Sequence, residues 1–197
     1  MTQNFLFQDY ATGLWEVDET TRAAIRLSAS ALSAVEGGIA AVNGNVFFAA
    51  TKTGLSTSPA NQLWVTSGTT AGTKLVTTLP DLTPAGVIAF NGAQINDITA
   101  LPSGKVVFNY FDGISQGVYL SDGTASGTHK ASGYTGGTSS YSRASIRDGV
   151  AEISGHLIFL DGHTGAWSVD ETTNVATALP PDNMSTNNFR LLAVLSG

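Results

Sequence analysis

Four short segments of one pattern recur along the chain, and this repeat limits what it can fold into. They are Leu14-Trp15-Glu16-Val17-Asp18, Leu63-Trp64-Val65-Thr66-Ser67, Val118-Tyr119-Leu120-Ser121-Asp122 and Ala166-Trp167-Ser168-Val169-Asp170, at intervals of 49, 55 and 48 residues. Each places an aromatic ring second among strand-forming residues, and each leads into a Thr-rich turn such as Gly68-Thr69-Thr70-Ala71-Gly72-Thr73 or Glu171-Thr172-Thr173. A short strand follows each turn.

A second shared piece lies upstream of each segment. Phe5-Leu6-Phe7, Val46-Phe47-Phe48, Val106-Val107-Phe108 and Leu157-Ile158-Phe159 read as aromatic-aliphatic strands. Asn43-Gly44, Ser103-Gly104 and Ser154-Gly155 precede three of them, and glycine dipeptides between strand-like runs signal hairpins. One further strand stands before each of those turns: Ile39-Ala40-Ala41-Val42, Ile98-Thr99-Ala100-Leu101 and Val150-Ala151-Glu152-Ile153. A repeat of about 50 residues with four antiparallel strands has the size of a propeller blade.

The first repeat lacks its leading strand. Leu191-Leu192-Ala193-Val194-Leu195-Ser196-Gly197 reads like Ile98-Thr99-Ala100-Leu101-Pro102-Ser103-Gly104 and can supply it. The expected fold is an all-β, four-bladed β-propeller with four strands per blade, closed by the C-terminal strand. Blade 1 takes residues 191–197 and 4–30, blade 2 takes 38–79, blade 3 takes 95–131 and blade 4 takes 149–179. Closure removes exposed sheet edges, and this reading expects a complete ring in one domain.

Residues 97–113 resemble a hemopexin repeat: Asp97, an apolar strand, a glycine turn, then Val106-Val107-Phe108-Asn109-Tyr110-Phe111. Residues 63–73 resemble a bacterial propeller repeat with the signature Leu-Trp-x-Thr-Asp-Gly-Thr-x-x-Gly-Thr. The hemopexin resemblance implies interaction roles and a central channel that holds a Ca or Na ion through backbone carbonyls. Asp97 and Asp148, each seven residues before a hairpin glycine, are the side chains that would join such a site. Blades one and two carry Arg190 and Gly37 at that place. The alternative is that both aspartates cap the turn into the strand.

Composition narrows function. Nine Lys and Arg against 15 Asp and Glu give a net charge of −6, which repels phosphate backbones and disfavours nucleic acid. The chain has no Cys, which excludes disulfides, thiolate zinc sites and Cys nucleophiles. No apolar run has the length of a membrane span, and the N-terminus lacks a basic region and long apolar core of a secretory signal. Low lysine, no Cys and abundant Thr and Gly suit an extracellular or cell-surface setting, reached by a non-classical or C-terminal signal; a cytoplasmic location is the other reading.

Catalytic motifs are thin. Gly113-Ile114-Ser115-Gln116-Gly117 has the spacing of a nucleophile elbow, but it lies between hairpin strands with no helix after it. His129, His156 and His163 show no metal-ligand spacing. The recurrent Trp15, Trp64, Tyr119 and Trp167 read as wedges between blades, with sugar stacking as the alternative. The turn at Asp122-Gly123 resembles the Asp-box turn of other propellers and reads as structural.

Loop length points to a face. The first-to-second and third-to-fourth turns are tight, whereas 52–61, 80–94, 132–148 and 180–190 are long, irregular and different from one another. Long loops on a rigid scaffold are where binding resides. The candidate ligand-binding residues are Tyr134, Tyr141 and Arg143 on one loop with Lys52, Asp81 and Asp182 on others, as rigid rings and planar cations anchor interfaces. The expected function is a non-enzymatic binding or adhesion module for a protein, glycan or small ligand, as a monomer or small homo-oligomer. A glycan-active hydrolase or lyase on the same face is the alternative.

Overall fold

The computed structural model describes residues 4–9, 13–18, 20–27, 32–33, 38–52, 60–83, 93–136, 146, 149–161 and 164–180. Among them four antiparallel sheets follow one another along the chain. The first holds β1 (Asn4–Asp9), β2 (Gly13–Asp18) and β3 (Ala24–Arg26). The second holds β4 (Leu32–Ser33), β5 (Ile39–Val42), β6 (Asn45–Lys52), β7 (Gln62–Thr66) and β8 (Lys74–Thr78). The third holds β9 (Gln94–Ala100), β10 (Val106–Phe111), β11 (Gln116–Ser121) and β12 (Thr128–Lys130). The fourth holds β13 (Val150–Ile153), β14 (His156–Asp161), β15 (Gly165–Asp170) and β16 (Val175–Ala178). The all-β, propeller-like reading of the repeat is what the chain adopts. The first sheet has three strands among the described residues; residues 191–197, expected to complete it, lie outside them.

Two departures mark the inner strands. The strand expected to begin at Ile98 begins at Gln94, because a bulge lets it continue: Asp97 and Ile98 together face the one residue between Val107 and Asn109. Asp97 adopts a left-handed φ of 55°, as the first residue of such a bulge does. In the second sheet the inner edge is broken instead, with β5 pairing the first half of β6 and β4 pairing Thr51 and Lys52.

The turns obey local chemistry. Asn43-Gly44 (φ 50° and 73°) and Ser154-Gly155 (51° and 78°) place both central residues in the left-handed region, the twist a two-residue hairpin needs. The third inner hairpin cannot copy them, since Pro102 fixes a negative φ. There Leu101 donates to the Lys105 carbonyl and Gly104 to the Leu101 carbonyl, and of these turn residues Gly104 alone takes positive φ, at 90°.

Period-two alternation builds the core. Phe48 and Ala50 pack with Leu14, Leu27 and the partly buried Trp64 between the first and second sheets. Phe47, Ala49, Leu63 and Val65 point the other way and meet Ile95, Val106, Phe108 and Tyr110 of the third sheet. Val107, Val118 and Leu120 then meet Leu157, Phe159, Trp167 and Val169 of the fourth. The central strands of the second and third sheets are thus apolar on both faces, because each of these two sheets lies between neighbours.

The recurrent rings are the wedges of these joints. Phe48 pairs across strands with Trp64, Phe108 with Tyr119 and Phe159 with Trp167, and each pair faces the preceding sheet. Phe108 and Tyr119 stack with centroids 5.5 Å apart. The backbone register of the first sheet repeats the pairing as Phe7 opposite Trp15.

Candidate functional site

The turns of the tight-turn face supply their own hydrogen-bond partners. In the second sheet the Thr66 hydroxyl accepts from the Gly68 amide and sits 2.6 Å from the Thr73 hydroxyl, which donates to the Thr69 carbonyl. The third sheet repeats this: Ser121 accepts from the Gly123 amide, lies 2.8 Å from Thr128, and Thr128 donates to the Thr124 carbonyl. Gly72 and Gly127 donate to the hydroxyls of Thr69 and Thr124, each at 2.9 Å. Gly68 and Gly123 tuck against the preceding sheet; a Cβ would come within 2.7 Å of Glu16 Oε1 and 3.1 Å of the Phe47 ring. The structural reading of the Asp122 turn therefore holds.

The first and fourth sheets use another turn. Asp18 Oδ1 accepts from the amides of Thr20 and Thr21, and Asp170 Oδ1 from those of Thr172 and Thr173. These amides hold both carboxyls below the usual carboxylate range, the Thr21 and Thr173 amides first. Asp122 is lowered too, chiefly by the Thr124 hydroxyl. On the same face Lys105 reaches Glu171 at 3.2 Å, and Ser103 donates its amide to Glu152, which ties the third sheet to the fourth. Most hydroxyls and carboxylates here shape loops or join sheets, while Glu171 Oε1 is buried without a partner.

The opposite face gathers the links and second-to-third loops. The link after β8 folds onto the loop after β10: Leu82 donates its amide to the Asp112 carbonyl, Ala93 donates to the Thr83 hydroxyl, and the Tyr110 hydroxyl donates to the Pro80 carbonyl. Asp112 accepts from the amides of Ile114 and Ser115 and from the Ser115 hydroxyl. Burial would raise Asp112, but the Ser115 and Ile114 amides outweigh it and hold it low. The Ser115 of the elbow-like motif is thus a turn residue between antiparallel β10 and β11. The two bonded loops each carry an apolar side chain in solvent: Leu82 is 52% exposed and Ile114 54%.

Sequence reasoning missed that pair. Its signal was an apolar residue inside each of two polar loops, with no indication that the loops meet. It did select Asp81, which is exposed beside Leu82 and accepts the Thr83 amide at 2.9 Å. Lys52 ends β6 and pairs its backbone with Leu32. Tyr141, Arg143, Asp182 and Asp148 lie outside the described residues.

Tyr134 is where the expectation of a ring offered to solvent is corrected. It is 6% exposed, packs edge-on against Phe159 and Trp167, and donates its hydroxyl to Asp161 Oδ2 at 2.7 Å. Burial, then the Asp161 charge, pushes the Tyr134 phenol far up. Thr164 donates to the same oxygen and accepts from the Trp167 indole at 2.8 Å. The Gly-Tyr-Thr-Gly run itself does not announce burial, but a large ring near two others is drawn into the core. Asp97, placed by sequence at the mouth of an inner strand, sits buried in the β9 bulge. Among the described residues no group of three or more His, Asp or Glu side chains is arranged to hold a metal.

One cleft of about 480 Å³ opens on the outer face of the fourth sheet, beside His156, Ser168, Asp170 and Thr177. Ser168 lies 3.4 Å from His156 Nδ1. Asp170 accepts from its own turn and makes no hydrogen bond to His156, so the three are not joined as in a hydrolytic triad, where the carboxylate orients the imidazole. Among the described residues no helix is long and apolar enough to cross a membrane.

No family model matches the chain. No curated protein matches its sequence. Solved structures match by fold. The crystal structure of the GH74 xyloglucanase from Xanthomonas campestris superposes with a TM-score of 0.51 at 13% identity, over 91% of this chain and 27% of that one. This chain therefore spans about a quarter of that protein's length, and the likeness is one of fold.

Proposed function

We propose that this chain is a non-enzymatic binding module that engages a protein partner through the face carrying the links and second-to-third loops. The observation that carries the reading is the exposed Leu82 and Ile114 pair, held in place by the Leu82–Asp112 backbone bond. Apolar side chains fixed on a rigid loop lose little entropy on binding. Exposed aliphatic side chains such as these suit a protein surface more than stacked sugar rings. With a net charge of −6, a neutral or mildly basic partner fits best. An extracellular or cell-surface setting goes with this reading.

The finer architecture goes with it as well. We propose a hemopexin-like ring in which residues 191–195 supply the strand that the first sheet lacks and which closes where a first sheet meets a fourth. Support comes from the three-stranded first sheet and from the repeat pattern.

The test presents the chain to an array of extracellular proteins and to a glycan array. The expected result is saturable binding to a protein that Leu82→Asp with Ile114→Asp weakens at least tenfold, about 1.4 kcal/mol, with Tm unchanged. Cleavage of an arrayed glycan would overturn the reading in favour of a hydrolase or lyase. Binding untouched by the double variant would move the site elsewhere.

A further inference from the structure

The three internal joints are made in one way. A sheet offers the face with its cross-strand aromatic pair, and the sheet before it offers its opposite face. These joints are sealed at β2, β7, β11 and β15, the strands that carry the repeated ring. On the aromatic-bearing side Thr66, Ser121 and Val169 are 0% exposed. On the other side Leu14, Leu63 and Val118 are at most 4% exposed.

The two terminal faces break this rule. Val17 is the first sheet's counterpart of Thr66, Ser121 and Val169, and it is half-buried. Ala166 is the fourth sheet's counterpart of Leu14, Leu63 and Val118, and it too is half-buried, with Ile158, Leu160 and Ser168 around it. The 480 Å³ cleft lies on that face. Where the internal joints exclude solvent, these two faces stay partly open.

The two open faces are complementary. The first sheet presents Trp15 with Arg26 directly opposite it, and Arg26 Nε is buried without an acceptor. The fourth presents Asp170 opposite His156 at the end of β15. An arginine beside an indole facing a carboxylate-edged cleft has matched charge and shape. The pattern of the internal joints also specifies the occupant: an aromatic-bearing face packs on the opposite face of another sheet.

We propose that these faces form an interface between two copies of this chain. The first sheet of one copy docks on the fourth sheet of its partner, and the reciprocal contact closes a two-fold ring of eight sheets. Head-to-tail contacts that close leave no free face and do not propagate into fibres, and eight blades lie within the range propellers adopt. The inference rests on the reading above for which sheets meet. It places the meeting between chains, since within one chain both faces remain half open.

The chain has no Cys, which permits a direct test. Val17→Cys combined with Ser168→Cys, bridged by a short bismaleimide, should run on a denaturing gel at twice the chain mass of 20.3 kDa. Light scattering of the native chain should give the same doubled mass. Val17→Arg and Ala166→Arg should each halve it, and mixing the two variants should restore it through the one joint each leaves intact. A native mass of 20.3 kDa with a cross-link inside one chain would overturn the inference and leave the closed single-chain ring standing. The same mass with no cross-link would overturn both.

Discussion

Tyr134 donates its hydroxyl to Asp161 Oδ2 at 2.7 Å across the joint between the third and fourth sheets. Asp161 is 1% exposed and Thr164 donates to the same oxygen. A ring that a loop position assigned to ligand contact is therefore a peg of the scaffold. Tyr134→Phe keeps the packing and removes one donor from a buried carboxylate, so it should cost about 1–3 kcal/mol. Tyr134→Ala adds a cavity and should cost about 3–5 kcal/mol. Urea denaturation of the two variants checks both. Unchanged stability with lost partner binding would return Tyr134 to the interface.

Trp64 stands opposite Phe48 and packs on the cluster of Leu14 and Leu27. Its indole donates to Gln62 Oε1 at 3.2 Å, within its own sheet. Trp64→Ala should cost about 2–4 kcal/mol, toward the low side of the range for a buried tryptophan because the ring is half-buried. A wedge role predicts this loss in thermal denaturation with partner binding intact. Sugar stacking predicts the reverse.

Much of this fold was legible because its two signals are local. The alternation that sends Phe47 and Phe48 to different sheets is written in adjacent residues, and the Gly-Thr turns carry their own hydrogen-bond partners. The site was less legible. Leu82 and Ile114 are 32 positions apart, and their loops are joined by the bond from the Leu82 amide to the carbonyl of Asp112. Tyr134 was misplaced for the same kind of reason: nothing near it in sequence announces Asp161 or Phe159. The sequence offers Asp97 as an ion ligand or a cap and does not announce the bulge, which has no signature when Asp takes the left-handed place usually given to Gly.

Acid should loosen the turn face. The carboxyls of Asp18, Asp122 and Asp170 titrate below their usual value in the folded chain. A depressed folded pKa means that folding favours the charged form. Its stabilisation is complete above the unfolded value of about 3.9 and is lost as pH falls from there through the folded value. Tm measured at decreasing pH should therefore drop below about pH 4. Asp122→Asn keeps an acceptor for the Thr124 hydroxyl but no titrating charge, so its Tm should fall less steeply there. Superimposed curves for the two proteins would remove Asp122 from the acid response.

The paired hydroxyl relays of the second and third sheets make the last prediction. Thr73 and Thr128 each accept a hydroxyl contact from a buried partner, Thr66 or Ser121, and each donates to a turn carbonyl. Valine has the shape of threonine without the hydroxyl, so Thr73→Val and Thr128→Val should each cost about 1 kcal/mol. The two relays share no residue, so the double variant should lose the sum within about 0.5 kcal/mol. Urea midpoints with an unchanged slope would show that stability alone has moved. A double variant that loses clearly more than the sum would mean that neighbouring turns are coupled through the joint between the sheets, where Gly123 rests on Phe47.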